Sequence, residues 1–384
     1  MREMLTEEQG MIRDVVREFA AGELGPLARD IDLEARFPRE AWPKLAALDL
    51  LGLGLPAEAG GAGAGDVVFV VAVEEIARIC GSTAAALVTH AAMGAGPIAS
   101  AGDLAQRRRW LVPLLAGQGF ATLAVSDTEI EGEDPAVTAT RRGDGWALNG
   151  VCVAVPGAMH ADVTVVSARI ESGPDRGLFV VERDTPGLGV VPAASSLGLR
   201  GLGHGRVELR DVAVADDRRL GDADAARAAL ARAHESAWVG FAAVAVGLAE
   251  GALERALRYA RERPQFDKLI VQHESVQWHL ADAALDTHVA RLAARAAARA
   301  GDAGTPARRL AAMAKIVATA AATRCGDRAI QVLGGYGYMT EFHVERYYRD
   351  AQACEIVGGT GDALRRLLVR ELGREADGGW NLLQ

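Results

Sequence analysis

Few stretches of this sequence carry side chains at spacings that do chemistry unaided. Gly60 to Gly65 is a glycine-rich run of the kind that cradles phosphate. That role needs a strand leading in and a Lys-Ser/Thr following, and neither is present, so the run reads as a flexible linker. No G-x-G-x-x-G opens a helix after a strand, which argues against a Rossmann nucleotide site. The four cysteines (Cys80, Cys152, Cys325 and Cys354) are far apart and include no C-x-x-C. They are read as buried thiols in a reducing cytosol, and no metal site or disulfide framework is expected. Net charge is −9, and only Lys44, Lys268 and Lys315 among the 42 basic residues are lysine. With no basic excess, nucleic acid is an unexpected partner.

The elements that would position any site fall into three blocks. With 384 residues, half of them hydrophobic, the chain is long enough for two or three cores. Residues 1–118 read as helical: Thr6 and Gln9 have capping-box spacing, and Met11, Ile12, Val15, Val16 and Phe19 then recur at helical intervals. Residues 119–222 change to a period of two, with Val163/Val165 and Val207/Leu209 alternating with polar neighbours. Gly143-Asp144-Gly145 and Pro186-Gly187 supply turns. Residues 223–384 return to helical spacing through Val246, Ala249, Leu253, Leu257 and Ala260, then Leu285, Val289 and Leu292. An Ala-rich stretch follows from Arg308 to Leu333, after a connection at Gly301 to Pro306. Long helices with short connections predict a bundle. The fold class is therefore α+β in separate domains: an N-terminal all-α domain, a middle β domain and a C-terminal helix bundle. The polar N-terminus lacks the apolar core of a signal peptide, and no run of 18 apolar residues suggests a membrane span. A cytoplasmic location is expected.

Three motifs in order then carry a resemblance: ARERPQFDKLIVQHESVQWHLAD, AIQVLGGYGY and ERYYRDAQACEIVGGTGDALRR. With LTEEQGMIRDVVREFA, GDGWALNG and LRDVAV they make the sequence similar, over nearly its full length, to the acyl-CoA dehydrogenase family. The resemblance implies an N-terminal all-α domain, a middle antiparallel β-barrel-like domain and a C-terminal four-helix bundle, assembled as a homodimer or homotetramer that binds FAD between subunits. It places Arg263, followed by Gln265 and Phe266, at the FAD pyrophosphate of a neighbouring subunit, Gln331, Gly334 and Gly335 against the cofactor across the interface, and Thr360 near the flavin. A guanidinium fork suits two phosphate oxygens, and the glycines allow close backbone approach.

Other positions depart from the family pattern. Ser126-Asp127-Thr128-Glu129 stands where T-E-P is usual, with Ser126 left to supply the hydroxyl beside the flavin. Glu131-Gly132-Glu133-Asp134 replaces a Gly-Ser-Asp motif and adds carboxylates. Ala154-Val155-Pro156 replaces W-I-T, so a hydroxyl at the flavin edge is missing. The family's proton-abstracting Glu corresponds to Gly358, and its alternative position on an earlier helix corresponds to Ala237, followed by Trp238. A positioned base contributes about 10²–10⁴-fold. The substitutes considered are Glu355, Glu235, His204 and His160. Trp238 and Val357 are placed at the acyl pocket. The Gly358 N–H remains available to polarise a thioester carbonyl, and the lost side chain is expected to leave room for a substituted acyl group, water or oxygen.

Three functions follow from the resemblance. The first is FAD-dependent oxidation of a short, hydroxylated acyl thioester on an acyl carrier protein or CoA, as in acyl-ACP dehydrogenases of polyketide extender-unit biosynthesis. The second is a flavin monooxygenase on the same fold. The third is a non-catalytic partner subunit of a heteromeric acyl-CoA dehydrogenase. The electron acceptor is not specified by any motif.

Overall fold

A computed structural model describes residues 5–130, 134–171, 173 and 175–376. Helix α1 (Glu7–Phe19) begins at the expected capping box, with Gln9 N donating to Thr6 Oγ1 at 3.2 Å and Thr6 N donating to Gln9 Oε1 at 3.1 Å. Its buried face is narrower than the five-residue pattern: Val16 is buried, Ile12 and Phe19 pack beside it, and Met11 and Val15 face solvent. Helices α2 (Gly65–Ala77) and α3 (Gly81–Ala101) are apolar on nearly every side, as helices enclosed by others must be.

The C-terminal part is built on α4 (Ala223–Glu262), a 40-residue helix whose first turn is capped by Asp222, which accepts from Ala225 N at 2.9 Å. It packs with α5 (Glu274–Asp302), α6 (Arg308–Leu333) and α7 (Val344–Ile356), and α8 (Gly361–Ala376) follows. Helices α3 and α4 reach the length and apolarity of membrane spans. In each, 83% of the most apolar window is buried inside the protein, so their apolar residues are core. Arg291 joins α5 to Glu74 on α2 and Glu250 on α4, both at 2.7 Å. Leu285 and Val289 do lie on a helix, but 64% and 54% of their surface is uncovered, and Trp278 on the same helix is as exposed as Leu285.

Between these helical parts lies one eight-stranded sheet: β1 (Ala121–Ala124), β2 (Val137–Arg142), β3 (Gly145–Val155), β4 (Val163–Ile170), β5 (Arg176–Glu182), β6 (Leu188–Pro192), β7 (Gly205–Ala215) and β8 (Arg219–Leu220). Strand order is β6-β7-β3-β2-β4-β5-β8, with β1 beside β4. Pairing is antiparallel except for β1 and β2 against β4, which are parallel. Gly143 (φ 57°) and Asp144 close the β2–β3 hairpin, in which Arg142 pairs with Gly145. At Pro186-Gly187 (Gly187 φ 89°), Leu188 N donates back to Thr185 O, as in a type II turn. Strand β7 keeps the two-residue rhythm. Strands β4 and β5 are buried on both faces: Val165, Leu178 and Val180 join the helical core, while Val166, Ala168, Phe179 and Val181 fill the sheet's own core. The sheet is thereby pressed onto α4, and the candidate site forms at that junction.

Candidate functional site

The turn that joins α7 to α8 is glycine-rich because its backbone demands it. Gly358 has φ 74° and Gly359 φ 118°, both left-handed. Thr360 then caps α8, its Oγ1 accepting from Ala363 N at 3.2 Å. Lys315, fully buried on α6, donates to Gly359 O and, at 3.4 Å, to Glu355 O. These are carbonyls at and just past the end of α7, where a cation also meets the negative end of the helix dipole. The indole N–H of Trp238 donates to Gly358 O at 2.8 Å. The Gly358 N–H, by contrast, donates to no group among the described residues.

The room expected at Gly358 is taken. A Cβ there would stand 3.0 Å from two ring carbons of Phe241, and one on Gly359 would meet Ile130 at 2.7 Å. His234, Trp238 and Phe241 fall at helical spacing on one stripe of α4, and all three are buried. The His234 ring stacks on Trp238 with centroids 5.8 Å apart and planes within 6°, and Arg308 lies over the same indole at 5.7 Å. Burial, with Arg308 and Arg176 nearby, pushes the His234 imidazole down to about 3, so it is neutral near pH 7. Its Nε2 has no hydrogen-bond partner among the described residues. The sequence reading passed over His234; the signal was its place one turn before Trp238. Glu235 lies off that stripe, its carboxyl raised by burial against Arg232 and Arg308.

On the sheet side, the Ser126 hydroxyl is turned toward its own short turn. Ser126 N and Oγ donate to Glu129 Oε1 at 3.1 and 3.4 Å. Glu129 Oε2 accepts from Ser167 Oγ at 2.7 Å and faces Arg176 at 3.5 Å. The side chain of Glu129 is fully buried, and burial raises its carboxyl above the usual range. This buried carboxylate, too, went unnoticed in the sequence. Glu131, Gly132 and Glu133 lie outside the described residues, and Asp134 faces Arg169 at 3.9 Å. In the altered strand end, Ala154 takes a left-handed φ of 55°, and Pro156 O accepts from Thr122 Oγ1 at 2.6 Å.

Two concavities gather most of the remaining expected residues. A largely apolar cleft of about 750 Å³ brings His204, Glu355 and Val357 together with Val153, Ala154 and Arg206. Burial lowers His204, and its Nδ1 is unpartnered among the described residues. Glu355 reaches over Gly361 at the start of α8. His160 lies elsewhere: its ring packs on Phe37 at 4.9 Å, and burial with Arg39 and Arg183 pushes it down to about 4. It is therefore no substitute base for Gly358.

The second concavity, about 480 Å³ at the end of the bundle, is lined by Arg263, Gln265, Gln331, Gly334, Gly335 and Tyr336. Arg263 lies over the Tyr336 ring at 5.5 Å and has no ion pair among the described residues. A Cβ on Gly334 or Gly335 would meet open space. An unneutralised guanidinium beside exposed glycine backbone fits a pyrophosphate, and the apolar cleft fits a planar ring system. Phe266 projects past this pocket, 85% exposed, with its ring edge-on to His273. No cluster of three or more His, Cys, Asp or Glu residues suited to a metal occurs among the described residues.

Comparison with known proteins matches three acyl-CoA dehydrogenase domains in order: the N-terminal domain over residues 6–118, the middle domain over 122–212 and the C-terminal domain over 223–373. The mouse mitochondrial short-chain specific acyl-CoA dehydrogenase is 34% identical over 373 residues, covering 96% of this chain and 90% of the relative. Butyryl-CoA dehydrogenase from Megasphaera elsdenii superposes with a TM-score of 0.90 at 27% identity, over 96% of this chain and 99% of that one. The prolyl acyl carrier protein oxidase AnaB gives 0.89 at 27% identity, over 96% and 100%.

Proposed function

The chain belongs to the acyl-CoA dehydrogenase family of FAD-dependent oxidoreductases, and on that premise we propose that it oxidises a short acyl thioester without a carboxylate at the usual base position. The observation that carries this reading is the Gly358 turn. Its N–H has no partner among the described residues, its carbonyl is held by Trp238, and the space where a base would project is occupied by Phe241. A free amide there polarises a thioester carbonyl, and a fixed donor in a water-poor site is effective in that role. Trp238 and Phe241 close the acyl end, so the acyl group is short. Similarity to a short-chain dehydrogenase, a butyryl-CoA dehydrogenase and an acyl carrier protein oxidase supports that class.

When bound, FAD supplies the hydride acceptor. Arg263, Gln265, Gln331, Gly334 and Gly335 would hold the pyrophosphate end of an FAD bound across the subunit interface, and the cleft at Val153, His204 and Val357 would receive the ring of the chain's own FAD. A hydroxylated carbon is the preferred site of oxidation, because an alcohol proton is more acidic than an alkyl α-proton and needs no carboxylate. The carrier is an acyl carrier protein or CoA. The exposed Trp278, Leu285 and Val289 on α5 support assembly as a homodimer or homotetramer. The test is to purify the chain, quantify bound FAD, and record flavin bleaching under anaerobic conditions with hydroxyacyl and alkyl thioesters. Bleaching by hydroxyacyl thioesters is expected; near-stoichiometric flavin that no thioester bleaches would refute the reading.

One observation favours a second reading, the partner subunit. The features altered here, Gly358, Ser126 and Pro156, belong to the chain's own acyl and flavin edge. The open bundle-end pocket gathers Arg263 and Gln331, the residues that the resemblance assigns to contacts across an interface. A chain that fails to retain FAD alone, yet raises FAD occupancy of a base-bearing homologue, would establish that role.

A further inference from the structure

His234 is a buried polar group with no stated task. It is 4% exposed, and its Nε2 finds no partner among the described residues. Buried nitrogens without hydrogen bonds are rare, because losing water costs free energy that only a partner restores. His234 is also placed with respect to the turn that would receive a thioester. It stacks on Trp238, and Trp238 is bonded to Gly358 O. Four residues separate His234 from Trp238, about 6 Å along the helix axis. That is close to the reach of the four bonds from a thioester carbonyl carbon, through sulfur and two methylenes, to the first amide nitrogen of a pantetheine arm. The other end of the stripe, at Phe241, is closed against Gly358. On the thioester reading, the acyl group would end at Phe241 and the carrier arm would run along α4 toward His234.

We propose that His234 is a specificity-determining residue whose Nε2 hydrogen-bonds the first amide of the pantetheine arm of an acyl-CoA or acyl carrier protein substrate. The assignment rests on the thioester reading above. A neutral imidazole suits an amide, because either tautomer offers a donor or an acceptor at Nε2. The arm is common to both carriers, so His234 serves either one.

The test is calorimetric binding of three unreactive ketone thioethers to the FAD-loaded protein: S-acetonyl-CoA, S-acetonyl-N-acetylcysteamine and S-acetonyl-butanethiol. The last lacks the amide. His234→Phe is expected to weaken the first two about 5- to 20-fold, the value of one buried hydrogen bond, and to leave the third within twofold. His234→Gln, which keeps a side-chain donor and acceptor, is expected to restore most of the loss. Equal weakening of all three thioethers would mean that His234 only packs, and would overturn the assignment while leaving the thioester reading intact. Unchanged affinity throughout would overturn it as well. Failure of the unmodified protein to bind any of the three would overturn the thioester reading and the assignment together. If His234→Phe does not fold, a His234→Gln protein that binds S-acetonyl-CoA no better than S-acetonyl-butanethiol would refute the assignment.

Discussion

Replacing Gly358 with glutamate restores the family's base on paper, but this fold rejects it. The backbone at 358 is left-handed, φ 74°, a conformation that costs an L-residue about 1–2 kcal/mol. The new Cβ would press on Phe241 Cδ2 and Cε2 at 3.0 Å, inside ordinary contact. Phe241 is fully buried, so the ring has nowhere to move without disturbing the core, and overpacking of this kind costs about 1–3 kcal/mol. Together they predict a loss of about 2–5 kcal/mol, or roughly 2–6 °C in melting temperature for a chain of this length. The glutamate carboxyl would then be displaced from the place where an α-proton sits, and no desaturase activity follows. The assay pairs thermal melting with anaerobic flavin reduction by butyryl-CoA for Gly358→Ala, Gly358→Glu and Gly358→Glu with Phe241→Val. Alanine should lose most of the stability that glutamate loses, because strain and the Cβ contact are common to both. The double variant should recover melting temperature and gain about 10²-fold in reduction rate, the low end of what a positioned base supplies. A Gly358→Ala protein that melts like its parent, together with desaturation by Gly358→Glu alone, would refute the reasoning.

Three further outcomes follow from the same geometry. Trp238→Ala should lengthen the accepted acyl chain and lower stability by about 3–5 kcal/mol; an unchanged chain-length profile would mean that the indole is not the pocket floor. Lys315→Met removes the donor shared by Gly359 O and Glu355 O and should cost about 2–4 kcal/mol in chemical denaturation, since charged hydrogen bonds to buried carbonyls are the stronger kind. Burial pushes the Asp350 carboxyl up to about 6, so the folded chain keeps a proton that the unfolded chain has released. Its contribution is fully present below the unfolded value and is lost as pH rises through about 6. Asp350→Asn keeps an acceptor for Leu199 N–H, and its stability relative to the parent should therefore rise by about 1 kcal/mol between pH 5 and pH 7.5.

The parts of this protein that were legible in its sequence are those fixed by local rules. Thr6 and Gln9 form their capping box, Gly143-Asp144 makes its hairpin turn, and the helical and two-residue rhythms change where the elements change. Motif order singled out Arg263, Gln265, Gln331, Gly334 and Gly335, and the structure brings them around one pocket. What periodicity does not carry is which face a neighbour covers. Leu285 and Val289 mark a helix correctly yet lie uncovered, and β4 and β5 are buried on both faces because α4 presses on one of them. The filled space at Gly358 was illegible for the same reason. It depends on Phe241, a residue on another helix, and no local pattern ties the two together.

That coupling also explains why glycine, and not merely any non-acidic residue, stands at position 358. A left-handed turn is needed to aim the Gly358 carbonyl at the Trp238 indole while Lys315 gathers the Gly359 and Glu355 carbonyls from the opposite side. With those acceptors committed, the Gly358 N–H, which has no partner among the described residues, is left to offer a donor. A side chain at 358 would have to displace Phe241, and with it the stripe that carries Trp238 and His234. The glycine at 358 and the aromatic filling are thus a single arrangement. On the proposed reading the site would work through a fixed backbone amide and a closed acyl end, and a group that takes the substrate proton would come from outside the Gly358 turn.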